Sequence, residues 1–98
     1  MSFHIDIPDV ERTYLDGLPL SPEARKRIDR FVEEFIAEIP HEFRLNPENR
    51  LCPDSPYFLV QLIILDRWGD GRMHRIDFHI RDDQARFGVL LIVFIDYH

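Results

Sequence analysis

Phe3, Ile5 and Ile7 alternate with Ser2, His4 and Asp6, a period of two that predicts a short strand ended by Pro8. Pro8 or Asp9 then opens about two turns of helix over 8–16, with Val10, Tyr14 and Leu15 on one face and Gly17 and Pro19 to stop it. Ser21 is a good N-cap, and Pro22 stands at the first helical position, where its missing N–H costs nothing. From there Ala24, Ile28, Phe31, Val32, Phe35, Ile36 and Ile39 recur at helical spacing, predicting one helix over about 22–39 that is closed by Pro40. That stripe is expected to bury Ile28, Phe31, Phe35 and Ile39.

Residues 40–56 hold four prolines and no clear period, so they read as a long loop pinned to the body by Phe43, Leu45 and Leu51. Three strands follow: 57–66 and 87–97, apolar on both faces, and 72–82, which alternates. The stretch from Arg67 to Gly71 and the polar run Asp83–Arg86 supply the turns. The fold class is therefore α+β: a short N-terminal strand, a helical hairpin, then a three-stranded antiparallel β-meander with the helices on one sheet face. At 98 residues the chain is expected to form one domain, 1–98.

The middle strand does not match its neighbours. Folding the first hairpin about Arg67–Gly71 puts Phe58, Val60, Leu62 and Ile64 beside Ile76, Phe78 and Ile80, a face for the long helix to cover. The opposite face carries Met73, Arg75, Asp77, His79 and Arg81 next to Tyr57, Leu59, Gln61, Ile63 and Leu65. Two helices suffice for one face only, so a polar row flanked by aliphatic side chains is left over, a feature that marks partner sites and dimer interfaces.

Charge and composition narrow the function. The chain has a formal net charge of −6, opposite in sign to that of most nucleic-acid binders. Of its 12 basic residues all but Lys26 are arginine, the better residue for bidentate pairing with carboxylate or phosphate. On the long helix the basic residues Arg25, Lys26, Arg27 and Arg30 precede the acidic Glu33, Glu34 and Glu38, against the helix dipole. The lone cysteine, Cys52, permits no intrachain disulfide and fits a reducing compartment. No stretch approaches the roughly 18 apolar residues of a membrane span, and the acidic start is not a signal peptide, so the expected location is cytoplasmic.

Neither a glycine-rich phosphate loop nor a zinc-spaced Cys/His set is present, and no cofactor is expected. Two Asp-x-His pairs occur, Asp77/His79 and Asp96/His98. A hairpin folded symmetrically about Asp83–Arg86 sets Asp96 near Met73, away from Asp77, so no metal set is expected. The alternating row Arg75, Asp77, His79, Arg81 is the candidate chemical site. The arginines suit an anion and His79 proton exchange near neutral pH, with Tyr97 and His98 able to join from the chain's end.

This order of elements, with the helical segment ERTYLDGLPLSPEARKRIDRFVEEFIAEIP at 11–40, its Leu18-Pro19 bend and the closing Tyr97-His98, resembles the RelE/ParE toxin superfamily. The resemblance implies a small toxin–antitoxin component. Members of that superfamily cut mRNA on the ribosome or act on gyrase, and many are held inactive by an antitoxin wrapped over their surface. By position, Arg75 or Arg81 and Tyr97 or His98 stand for the functional residues. The chain departs from the family in being acidic, in lacking lysines for RNA, and in carrying the apolar run Phe58–Leu65 where the family has an arginine. Two readings stay open. One is RNA cleavage through 2′-hydroxyl attack, with Arg75 and Arg81 on the phosphate, His79 or His98 moving protons, and Tyr57, Gln61, Asp77 and Tyr97 binding. The other is a non-catalytic interaction module that dimerises or takes an antitoxin-like protein partner.

Overall fold

The computed structural model describes residues 2–50, 52 and 54–98; Leu51, expected to pin the 40–56 segment, lies outside them. In chain order the elements are β1 (His4–Asp6), α1 (Asp9–Asp16), α2 (Pro22–Arg30) continuing as a π-helical turn (Phe31–Ile36), α3 (His41–Leu45), a 3₁₀ turn (Pro47–Asn49), β2 (Tyr57–Leu65), β3 (Met73–Arg81), a second 3₁₀ turn (Ala85–Phe87) and β4 (Val89–Tyr97). The α+β class holds, but the sheet has four strands in the order β1-β4-β3-β2, and β1 runs parallel to β4. The expected three-stranded meander is thus extended by the N-terminal strand into a mixed sheet. Among the described residues no helix is long and apolar enough to cross a membrane.

The helix start follows the sequence logic. Ser21 Oγ accepts from the Ala24 N–H at 3.1 Å, with Pro22 behind it. Buried positions then fall at Ala24, Ile28, Val32 and Ile36, a strict four-residue step, and at Ala37 and Ile39. On an α-helix each such step drifts about 40° around the axis. The wider π turn over Phe31–Ile36 reverses that drift and keeps Val32 and Ile36 on the sheet. The same turn moves Phe35 to the flank, where it is 42% exposed and stacked on half-buried Phe31 at 4.9 Å between ring centres. The expectation that Phe35 is core is therefore corrected.

Helix side chains meet one sheet face only. Phe58, Val60, Ile64, Ile76, Phe78, Ile80, Leu90, Ile92 and Ile95 join Ala24, Ile28, Val32 and Ile36 in one core, with Leu15, Leu18 and Leu20 beneath the helical hairpin. Arg25 holds that bend by donating to the carbonyls of Leu20, Leu18 and Asp16. On α1, Glu11 accepts the Ile95 N–H at 2.9 Å, which satisfies a donor of β4 beyond the reach of β1.

The 40–56 segment is more structured than a loop. Phe43 sits edge-on to Phe58 and Phe35, while Leu45 is exposed and pins nothing. Arg50 bridges to Phe58 on β2, and both Arg44 and Arg50 reach the Asp82 carboxylate, Arg50 with bonds of 3.1 and 2.7 Å. The segment is therefore tied to the β2 edge and the Asp82 end of the sheet. Its described residues flank the second face at one corner, where Glu48 and Asn49 line a cavity with Leu59 and Gln61, and leave Ile63, Met73 and Phe94 in water.

Candidate functional site

The open face is built by strand alternation. Antiparallel register sets Tyr57 opposite Arg81, Leu59 opposite His79, Gln61 opposite Asp77, Ile63 opposite Arg75 and Leu65 opposite Met73, as the hairpin turn predicts. From β4, Phe94 faces His79 edge-on at 5.2 Å between ring centres. Ile63 is 59%, Met73 62% and Phe94 49% exposed, so the aliphatic and aromatic rim is in water.

Neither arginine of the row is free. Arg81 grips Asp83 with two bonds of 2.8 and 2.5 Å, which lowers the Asp83 pKa and raises that of Arg81. Arg75 Nε stands 3.4 Å from Asp77 Oδ1.

The second hairpin overturns one expectation outright. Asp96 opposes Asp77, not Met73. The connection is longer than Asp83–Arg86: the 3₁₀ turn and Gly88, whose φ of 79° favours glycine, carry the chain round and displace the register by three residues. A bulge adds the fourth, since His79 pairs with Phe94 and Ile80 with Ile92, leaving Val93 extra. His98 continues the ladder through two backbone hydrogen bonds with Arg75, of 3.2 and 2.9 Å. Its Nε2 consequently lies 2.9 Å from Asp96 Oδ2 and 3.4 Å from Asp77 Oδ2. Of the two Asp-x-His pairs, three members converge and only His79 stays apart, against Phe94.

Tyr97 does not join this group. Alternation sends it to the covered face, where its hydroxyl is 2.6 Å from Nδ1 of buried His74. His74 Nε2 in turn lies 2.9 Å from Asp70. Next to them Asp66, at the end of β2 and buried, accepts the Ser21 N–H at 2.8 Å and the Ser21 hydroxyl at 2.6 Å. Gly69 is required there, because a Cβ on it would come within 2.5 Å of the Asp66 carboxylate. The hydrogen bonds from Ser21 hold the Asp66 pKa below the usual carboxylate value, and the bond to His74 does the same for Asp70. Sequence reasoning passed over Asp66, Asp70 and His74. The signal was there in parity, since His74 shares its face with Ile76, Phe78 and Ile80.

The two clusters differ chemically. Around Asp66, Asp70 and His74, each imidazole nitrogen and both Asp66 oxygens are engaged, a closed network that joins the α2 N-terminus to the β2–β3 turn. At Asp77, Asp96 and His98, two carboxylates face each other across a strand pair, an arrangement that repels unless a cation or proton lies between them. Comparison with known proteins gives no match: no family model, no curated protein and no solved structure.

Proposed function

We propose that this chain is a small domain of the toxin–antitoxin type, diverged from RelE/ParE-like ancestry, that works by protein–protein contact, with a second copy of itself as the occupant of its open sheet face. The observation that carries the reading is the rim of Ile63, Met73 and Phe94, exposed around the charged row of β3. Leaving such side chains in water forgoes about 1.5–3 kcal/mol each for full burial, a large share of a small domain's stability. The occupant follows from the charges: a two-fold axis near Ile76 sets Arg75 of each copy against Asp77 of the other. The element order, β-α-α-β-β-β with the short α3 inserted before β2, supports the ancestry, and the paired state of Arg75 and Arg81 favours contact over phosphate cleavage.

The test is the mass of the purified chain in solution by ultracentrifugation. A dimer at micromolar concentration, converted to a folded monomer by Ile63→Asp, is the expected result. A monodisperse monomer at high micromolar concentration overturns it. Growth arrest on expression in bacteria, relieved by Arg75→Ala with Arg81→Ala, would restore the ribonuclease reading.

A further inference from the structure

We infer that Asp77, Asp96 and His98 form a binding site for one divalent transition-metal ion of borderline softness, zinc being the best fit. The site goes beyond the interaction reading, since all three ligands come from one chain. Three observations lead to it. The first is separation. A zinc ion holds oxygen and imidazole nitrogen at about 2.0–2.2 Å, so neighbouring ligand atoms of a tetrahedral site lie about 3.3–3.6 Å apart. His98 Nε2 stands 2.9 Å from Asp96 Oδ2 and 3.4 Å from Asp77 Oδ2, and one ligand atom from each residue falls within a 4.8 Å span. Shifts of a few tenths of an ångström at His98, half-exposed beside Asp96, complete the tetrahedral edges.

The second observation is an orphan. Asp77 is only 6% exposed, and its Oδ1 is buried without a hydrogen-bond partner; the Arg75 guanidinium beside it, 3.4 Å away, lacks hydrogen-bonding geometry. A buried carboxylate left short of partners loses its hydration without full replacement. Oδ2 is the oxygen that faces His98, so a metal ion bound there offsets part of the carboxylate's lost hydration, while Oδ1 stays toward Arg75. The third is charge. Asp77 and Asp96 are directly opposed across the β3–β4 pair, where like charges repel, and the neutral imidazole adds a donor without adding charge. Two carboxylates and one imidazole are an oxygen/nitrogen set suited to zinc and its neighbours in the first transition row. Three protein ligands leave a fourth position, which faces out from the open side of the sheet.

The closed cluster on the other face shows by contrast why it is not proposed. Asp66 is saturated by Ser21, and His74 is held at both nitrogens by Asp70 and Tyr97.

The experiment is calorimetric titration of Zn²⁺ into the metal-stripped chain with any affinity tag removed, with Co²⁺ absorption as a readout of geometry. One ion per chain is expected, with the visible bands of tetrahedral Co²⁺. His98→Ala, Asp96→Asn and Asp77→Asn should each weaken binding at least about tenfold and abolish those bands. His41→Ala, on exposed α3, should change neither. If Asp77→Asn does not fold, His98→Ala decides, because that residue is at the sheet's margin and half-exposed. Absence of saturable one-to-one binding up to millimolar metal overturns the site, as does wild-type affinity in His98→Ala. The same titration on Ile63→Asp separates the two proposals: zinc held by a monomer keeps the site whatever becomes of the dimer.

Discussion

Tyr97 and His98 are consecutive, yet they serve opposite faces of one sheet and opposite kinds of chemistry. Tyr97 closes a network in which Asp70, His74 and the phenol satisfy one another around the buried imidazole. His98 enters a group in which two carboxylates crowd one imidazole on the open face. The residue types are nearly the same; what differs is whether the surrounding elements complete the set. Next to the first, the helix N-terminus brings Ser21 to Asp66. On the second, among the described residues, no helix side chain completes the set, and an oxygen of Asp77 is left over.

The sharpest way to break this contrast is through packing. Phe78→Ala, on the covered face, should cost about 3–5 kcal/mol in denaturant unfolding, while Phe94→Ala, half-exposed on the open face, should cost less than about 1 kcal/mol. Equal losses would mean that both faces are buried. Ser21→Ala should cost about 1–2 kcal/mol, since it removes the α2 cap and a donor to Asp66 together. Phe35→Ala should cost about 1 kcal/mol by the same measurement, because the π turn places that ring on the flank; a loss of core size would return it to the stripe.

Acid titration sharpens the comparison further. Asp66 and Asp70 have folded pKa values below the ordinary carboxylate value, so the unfolded chain binds more protons in the acid range. Their contribution is fully present above the unfolded pKa, near 3.8, and is lost as pH falls through the lower folded values. Thermal melts from pH 5 downward should therefore show a falling midpoint that Asp70→Asn flattens. The Asp83 share, which rests on half-exposed Arg81, should fade in high salt, whereas the Asp66 share should persist. Ile63→Asp should have the smallest effect on monomer stability, within about 0.5 kcal/mol, while having the largest on association.

What could be read from the sequence was whatever depends on period and local chemistry. The Ser21-Pro22 start, the β2–β3 register and the two faces of β3 all follow from spacing. What escaped depends on turn length and on residues with two good options. β4 is apolar on both faces, so its own pattern does not fix its register. The fixing was done by the 3₁₀ turn, Gly88 and the Val93 bulge, and four residues of displacement turned two separate Asp-x-His pairs into one group. Phe35 was misplaced because helical spacing cannot announce a π turn. The N-terminal strand was visible, but its parallel partner lay at the far end of the chain.

That last pairing governs when the fold can be finished. His4, Ile5 and Asp6 align with Val89, Leu90 and Leu91, so one edge of the sheet joins the first residues to the last tenth of the chain. On a ribosome the helical hairpin and the β2–β3 hairpin, both local, are free to form while β1 waits. Closing so long a loop has an entropic cost that only the finished sheet offsets. A chain interrupted before Val89 leaves Phe3, Ile5 and Ile7 without a strand to lie on, and those apolar residues then mark the product as incomplete to any chaperone or protease that samples its N-terminus.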